Sequence, residues 1–327
     1  MTRVTVSSPG AREAATGTTL VQQDARPWLE CVVNVSEGRD GTVLATLASE
    51  CAGALLDVHR DADHNRSVFT LAGPPQDVFQ AACSLATAAV ARVDLRRHEG
   101  AHPRLGAVDV VPFVQLQGLP LGDDEGLVGP AALDARGSFG EWAAAALGLP
   151  VFFYGPDRAL PEVRRRAWRD LEPDIGPGTP HPTAGAVCVG ARPLLVAYNV
   201  WLEGSDLAAA KAVAAKMRTS QVRALGMAVG GAVQVSFNLV APWHSGPAEV
   251  WDAVAASVPA HHGELVGLLP SEVLHRIPEE RWERLGLSEA TTIESALGRR
   301  GVLLGGGDRV GAVARNDNEA RPRPSLT

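Results

Sequence analysis

Cysteine is scarce in this chain: four residues in 327, at Cys31, Cys51, Cys83 and Cys188. No two have the Cys-x2-Cys spacing, and each lies in apolar surroundings. That excludes a disulfide framework and leaves reduced thiols packed as small hydrophobes. Long apolar runs are also missing. No stretch of eighteen apolar residues occurs, so no membrane-spanning helix is expected. Residues 1–27 hold Ser, Thr, Gly, Gln and Arg without the apolar core of a signal peptide. They read as a disordered leader, and the protein as cytoplasmic. Positive charge is in deficit, with a formal net charge of −7. Binding a phosphate backbone needs a basic face, so nucleic acid is not an expected partner. A local positive site for a small polyanion stays open.

Apolar residues make up 46% of the chain, enough to bury the core of two ordinary domains or one large one. Hydrophobic period and breakers give the element order. Strand patterns cover 29–35, 54–59, 66–72 and 107–114. Helix patterns cover 39–51 and 75–95. Val78, Ala82, Leu85, Ala89 and Val93 line one face of the second helix, and Pro74-Pro75 marks its start. The order is β-α-β-β-α-β, the split βαβ arrangement.

The second half repeats that order. A strand at 194–202 precedes a helix at 205–217 with Ser205 or Asp206 at its N-cap. Strands 222–229 and 232–240 join through Gly230-Gly231, followed by a helix at 247–258 and a strand at 263–269. Between the halves, 131–147 and 160–168 read as helices and 151–154 as a strand. The run Arg164-Arg165-Arg166 reads as a solvated helix face. The expected fold is α+β: two ferredoxin-like βαββαβ subdomains, residues 28–193 and 194–311, with a substrate cleft between them. Residues 312–327, which mix arginine and proline, read as a flexible tail.

The run His98-Glu-Gly-Ala-His-Pro-Arg-Leu-Gly-Ala-Val-Asp109 carries the densest chemistry. Two histidines stand four apart, an arginine follows the second by two, and a carboxylate follows it by seven. Gly100, Pro103 and Gly106 exclude a regular helix, so the titratable groups sit on a loop held between packed elements. His-x3-His resembles a metal-ligand pair. Ligands at that spacing converge on a helix, however, and no cysteine ligands lie nearby, so no metal is expected. Imidazole suits proton transfer near neutral pH; idle or turn-capping histidines are the plainer alternative.

Other candidates have two readings each. Arg104 fits a substrate carboxylate through its guanidinium fork, or an ordinary surface salt bridge. Asn34, Asn65, Asn199 and Asn238 sit at or beside strands, where asparagine is disfavoured; they bind polar substrate edges or make strand-end turns. Asp57 and Arg66, on adjacent strands, are placed to pair across them.

Taken on through Val-Val-Pro-Phe113, the His98 run resembles the signature of the formiminotransferase domain, the N-terminal half of formiminotransferase-cyclodeaminase. Glu30-Cys-Val-Val-Asn-Val-Ser-Glu-Gly38 is similar to that family's opening strand. Leu55-Leu-Asp-Val58 and Asn65-Arg-Ser-Val-Phe-Thr70 are similar to the next two strands. Pro173-Asp-Ile-Gly-Pro177, Gly185 and Gly190-Ala-Arg192 resemble its folate loop. Ala197-Tyr-Asn199, Val235-Ser-Phe-Asn-Leu239 and Glu264-Leu-Val-Gly-Leu268 resemble its second half. The matches run in family order.

The resemblance implies transfer of a formimidoyl group from N-formimidoyl-L-glutamate to N5 of tetrahydrofolate, giving 5-formimidoyltetrahydrofolate and glutamate. It assigns the catalytic imidazole to His102. His98 then orients it, contacts substrate or packs, and Asp109 stabilises an imidazolium or the amidinium carbon, or caps the loop. The folate-binding segment falls on Gly176, Pro177, Gly178, Thr179, Pro180, His181, Pro182, Thr183, Ala184 and Gly185. Such a Gly/Pro-rich loop exposes backbone donors and acceptors to a flat pterin. Tetrahydrofolate is the one-carbon acceptor, and no metal is required. The implied partners are N-formimidoylglutamate and tetrahydrofolate, with no nucleic acid and no membrane, and a homodimer is left open.

Two departures stand out. Relatives carry an acidic residue where this chain has His59, and the loop between Arg218 and Val222 is shorter. These leave room for another donor, such as a glycine derivative or specialised metabolite, or for noncatalytic folate binding. With no cyclodeaminase half in the sequence, channelled deamination is not expected.

Overall fold

The computed structural model describes residues 27–101, 104–116 and 128–301. The expected leader (apart from Pro27), the tail at 312–327 and His102 lie outside the described residues.

The first strand, β1 (Trp28–Val35), alternates as a half-buried strand should. Leu29, Cys31, Val33 and Val35 enter the helix-covered core, while Glu30 and Asn34 take the other face. The helix α1 (Gly41–Glu50) starts where the Asp40 carboxylate accepts the Thr42 and Val43 N–H groups. It leads to the antiparallel pair β2 (Leu55–Asp61) and β3 (Arg66–Gly73). The helix α2 (Pro75–Arg92) has proline in its first turn and ends short of the expected 95. Val93 is extended there, and Asp94 caps a separate short turn by accepting the Arg96 N–H. The strand β4 (Val108–Leu116) returns beside β1.

Next come α3 (Pro130–Leu147), β5 (Val151–Tyr154), α4 (Leu160–Arg166) and β6 (Val187–Ala191). The six-stranded sheet has the order β2-β3-β1-β4-β6-β5, with β4, β6 and β5 mutually parallel. Its first four strands have the ferredoxin-like order. Sequence reading missed β6. All five of its residues are buried, so it lacks the alternation that marks a half-exposed strand.

The second half comprises β7 (Val196–Leu202), α5 (Leu207–Met217), β8 (Val222–Val229), β9 (Ala232–Leu239), α6 (Pro247–Ala255) and β10 (Ala260–Val266). The sheet order β10-β7-β9-β8 repeats the ferredoxin-like pattern. The expected 263–269 strand is corrected to Ala260–Val266, because Gly267 turns the chain at a φ of 86°. The helix at 247–258 stops at Ala255. Two short helices absent from the sequence reading, α7 (Ser271–His275) and α8 (Ile293–Arg299), close the described chain.

One core lies between α1–α3 and the first sheet. A second lies beneath α5 and α6, and it takes in Ala72, Val114 and Leu116 from the first sheet, while a third, smaller cluster packs Val163 of α4 against Val110, Phe152 and Cys188. Shared burial therefore fixes the two halves together. Beyond that shared core the sheets present polar faces to a common seam. The Thr70 hydroxyl lies beside Gly267, and Asp63 in the β2–β3 turn lies against Gly230 in the β8–β9 turn. No helix among the described residues is long and apolar enough to cross a membrane.

Candidate active site

Asn65 organises the first wall of the site. It takes a left-handed conformation at a φ of 47°, which asparagine tolerates better than most residues. Its Oδ1 accepts the Gly38 N–H (2.9 Å), and its Nδ2 donates to the Glu99 carbonyl (2.9 Å). The loop after β1 and the histidine loop are thereby tied to one residue. Gly100 packs so tightly here that a Cβ would meet the His64 carbonyl oxygen at 2.3 Å.

His98 belongs to this clamp. Its Nε2 lies 2.9 Å from the Asn65 carbonyl, and the Arg104 guanidinium contacts its Nδ1. A guanidinium has no lone pair to offer, so Nδ1 accepts and Nε2–H donates. Burial, and then Arg104, push His98 below the ordinary histidine range. Arg104 also donates to the Gly100 carbonyl (2.8 Å). Both side chains brace the described part of the histidine loop; His102 itself lies outside the described residues.

Asp109 is the extra residue of a β-bulge. Val110 opposes Asn34 and Val108 opposes Val35, so the register slips at Asp109. Its Oδ1 accepts the N–H groups of Leu105 (2.7 Å) and Gly106 (3.4 Å), which caps the histidine loop. Its Oδ2 lies 2.5 Å from Arg164 Nη2. Burial works against the Arg164 charge, but Asp109 outweighs it and raises Arg164 above the usual arginine value. Arg164 is therefore not part of a solvated face, a correction to the sequence reading; only the partner 55 residues away explains it. Arg166 does behave as a surface group, paired with Glu162 and Asp170. Burial lowers Arg66, while Asp109, Asp61 and Glu264 oppose that shift.

The glycine-proline loop lies against the histidine loop. The Leu95 N–H donates to the Thr183 carbonyl (2.8 Å) and the Ala107 N–H to the Ala184 carbonyl (2.9 Å). Gly106 and Gly185 form an antiparallel bridge. Gly185 sits at a φ of 70°, where a Cβ would meet the Leu105 oxygen at 2.1 Å. His181 is spent within its own loop, its Nδ1 accepting the Ala184 N–H (3.0 Å) and the Thr183 N–H (3.3 Å). Pro177, Gly178, Thr179 and Pro180 are exposed at the loop tip.

The second wall centres on Glu264 of β10. Its Oε2 accepts from Asn199 Nδ2 (3.1 Å) and Trp201 Nε1 (2.9 Å). Its Oε1 faces His59 Nε2 of β2 at 3.5 Å, across the seam. Burial pushes the Glu264 carboxyl up, yet hydrogen bonds from His59, Asn199 and Trp201 outweigh it and hold it at about 2. Sequence reading gave no site role to Glu264, Trp201 or Arg164. Their partners are remote in the chain, so no local spacing marks them.

The remaining candidates divide. Asp57 opposes Thr70 while Arg66 opposes Asp61, so the expected Asp57–Arg66 pair does not form. Burial raises Asp57. Asn34 turns its Nδ2 to the Val32 carbonyl (3.0 Å), and Asn238 is exposed on β9. Four buried atoms on the two sheets have no hydrogen-bond partner among the described residues: Glu30 Oε2, Ser67 Oγ, Thr70 Oγ1 and Gln234 Oε1. Among the described residues no cluster of His, Cys, Asp or Glu is arranged to hold a metal ion.

Fold and seam together define a two-subdomain α+β protein whose ionisable groups gather between its sheets. Residues 28–192 match the formiminotransferase domain, N-terminal subdomain. A glutamate formimidoyltransferase of Streptococcus pyogenes is 32% identical over 282 residues, covering 77% of this chain and 92% of that protein. The glutamate formimidoyltransferase of Thermoplasma acidophilum is 30% identical, covering 81% and 96%. The formimidoyltransferase-cyclodeaminase of Sus scrofa is 32% identical, covering 75% of this chain and 51% of the longer protein. The chain belongs to the formiminotransferase family and is a formimidoyltransferase enzyme.

Proposed function

We propose that this enzyme moves a formimidoyl group from N-formimidoyl-L-glutamate to N5 of tetrahydrofolate, in the cytoplasm, with His102 as proton shuttle. Subdomains 28–193 and 194–311 supply the two walls of the site. The observation that carries this reading is the union of the histidine loop and the glycine-proline loop, joined at Gly106 and Gly185. A pterin edge on residues 176–185 would then lie against the loop that bears His102.

The chemistry asks little beyond positioned proton carriers. Attack by N5 makes the amidine carbon tetrahedral. N5 must lose a proton, and the glutamate nitrogen must gain one to leave as an amine. An imidazole with a pKa near the working pH serves this traffic. His98 and Arg104 are engaged in bracing the loop, which supports assigning the shuttle to His102. The names of the Streptococcus and Thermoplasma relatives support glutamate as the donor's amine.

His59 supports a second reading, in which the same chemistry acts on a different donor. A neutral or cationic imidazole lines the seam at that point, facing Glu264. Steady-state assays with tetrahydrofolate and formimidoyl derivatives of glutamate, aspartate and glycine separate the two. The highest kcat/KM is expected with the glutamate derivative, in the presence of chelator. Preference for another donor moves the assignment to the second reading, and transfer from none removes both.

A further inference from the structure

Three histidines beside the histidine loop are already engaged. His98 binds the Asn65 carbonyl and Arg104, His181 caps its own loop, and His64 is buried against Asp61 at 3.3 Å. His59 differs. Its side chain is 23% exposed at the seam, and its Nε2 faces the Glu264 carboxylate of the opposite half. No hydrogen bond among the described residues engages its Nδ1. Glu264 is fixed in turn by Asn199 and Trp201.

A carboxylate on one ring nitrogen sets the tautomer and steadies the imidazolium, leaving the other nitrogen to exchange a proton. The pair also borders the proposed site. Arg66 senses both Asp109 and Glu264. The Ala101 N–H, one residue before His102, donates to the Asp63 carbonyl (3.2 Å) in the turn that follows His59's strand.

We propose that His59, aligned by Glu264, is the acid that protonates the leaving nitrogen of the formimidoyl donor. The inference rests on the transfer reading above and divides its proton traffic between two imidazoles. The N5 lone pair forms the bond to the amidinium carbon, and the C=N π pair moves to the terminal nitrogen. The N5 proton passes to His102. The C=N bond then re-forms as the bond to the donor nitrogen breaks. That bonding pair leaves with the donor nitrogen, which takes the His59 Nδ1 proton. His102 returns its proton to solvent and His59 regains one, so no proton or electron is gained or lost overall.

Glu264 of β10 and Asp57 on its own strand act on His59; Glu264 also acts on His64 in the β2–β3 turn and on Arg66 of β3, and Arg299 of α8 acts on Asp57. The test uses the full chain with His59→Gln and Glu264→Gln, assayed against pH. Two donors are compared: N-formimidoyl-L-glutamate and N-(4-nitrophenyl)formamidine, whose electron-poor aniline nitrogen carries off the bonding pair with far less help from an acid. His59→Gln is expected to lower kcat by ~10²–10⁴-fold with the glutamate donor, and far less with the aniline donor. The high-pH limb of kcat should vanish in this variant. Glu264→Gln should lower kcat with the glutamate donor more than with the aniline donor, because His59 loses the carboxylate that orients it.

Equal losses with both donors, or wild-type turnover and an unchanged limb, overturn the inference. Where thermal melting shows His59→Gln unfolded, Glu264→Gln decides, and equal losses with both donors overturn the proposal. Wild-type protein that transfers from neither donor refutes the transfer reading itself, a result distinct from failure of His59.

Discussion

Arg164 Nη2 lies 2.5 Å from Asp109 Oδ2, which joins α4 to the bulge that opens β4. The same carboxylate caps the histidine loop through Leu105 and Gly106. Truncating one member of a buried pair strands the other, at a cost of ~3–5 kcal/mol. Asp109→Ala is therefore expected to lower unfolding free energy by about that amount in urea titrations. Asp109→Asn keeps an acceptor for the loop and should lose less. Equal losses for the two substitutions would argue that the cap contributes nothing.

Gly185 and Gly178 make a matched pair within one loop. An alanine at 185 would need a left-handed backbone and would drive its Cβ into the Leu105 oxygen, whereas a Cβ at 178 meets nothing within 4 Å. Gly185→Ala should cost more than ~1 kcal/mol, while Gly178→Ala should stay within about ±0.5 kcal/mol. By parting the two loops, Gly185→Ala should also weaken tetrahydrofolate binding, read by fluorescence titration. Similar stability and affinity in both variants would contradict the close packing at Gly106 and Gly185.

The repeated β-α-β-β-α-β order was legible because each half alternates amphipathic strands with helices at distinct periods. β6 was not, since a strand buried on both faces carries no period to read. At the site, the histidine and glycine-proline loops were legible as motifs. Their mutual contact was not, because it depends on Ala107 meeting Ala184 through the fold. Asp109's bulge position and its Arg164 partner are likewise set by register and by helix placement. Glu264 looked like an ordinary strand residue until the second sheet brought it to His59.

Glu30 makes stability depend on pH. Burial raises its carboxyl from 4.5 to about 7, with Arg192 opposing the shift. The folded chain thus holds this proton more tightly than the unfolded chain. The contribution is complete below about pH 4.5 and is lost as pH rises through about 7. The loss is on the order of 3 kcal/mol. Glu30→Gln keeps the neutral shape and should remove that slope. Urea unfolding of both proteins at about pH 5 and about pH 8 checks it; parallel changes in the two would exclude Glu30 as the source.

His102 carries the most direct prediction. If it moves the proton released from N5, His102→Asn keeps hydrogen-bonding capacity and much of the shape but loses the titrating nitrogen. General acid–base groups contribute ~10²–10⁴-fold, so kcat should fall by about that factor. Tetrahydrofolate affinity should change little, because residues 176–185 are assigned to hold the pterin. His98→Asn tests the neighbouring role separately. His98 is engaged with the Asn65 carbonyl and Arg104, so its loss should loosen the loop and reduce kcat less than loss of His102 does. Turnover and equilibrium folate binding, measured together on both variants, distinguish the roles. Near wild-type turnover in His102→Asn would rule out the shuttle. Lost folate binding with preserved turnover of bound substrate would instead make His102 a binding residue.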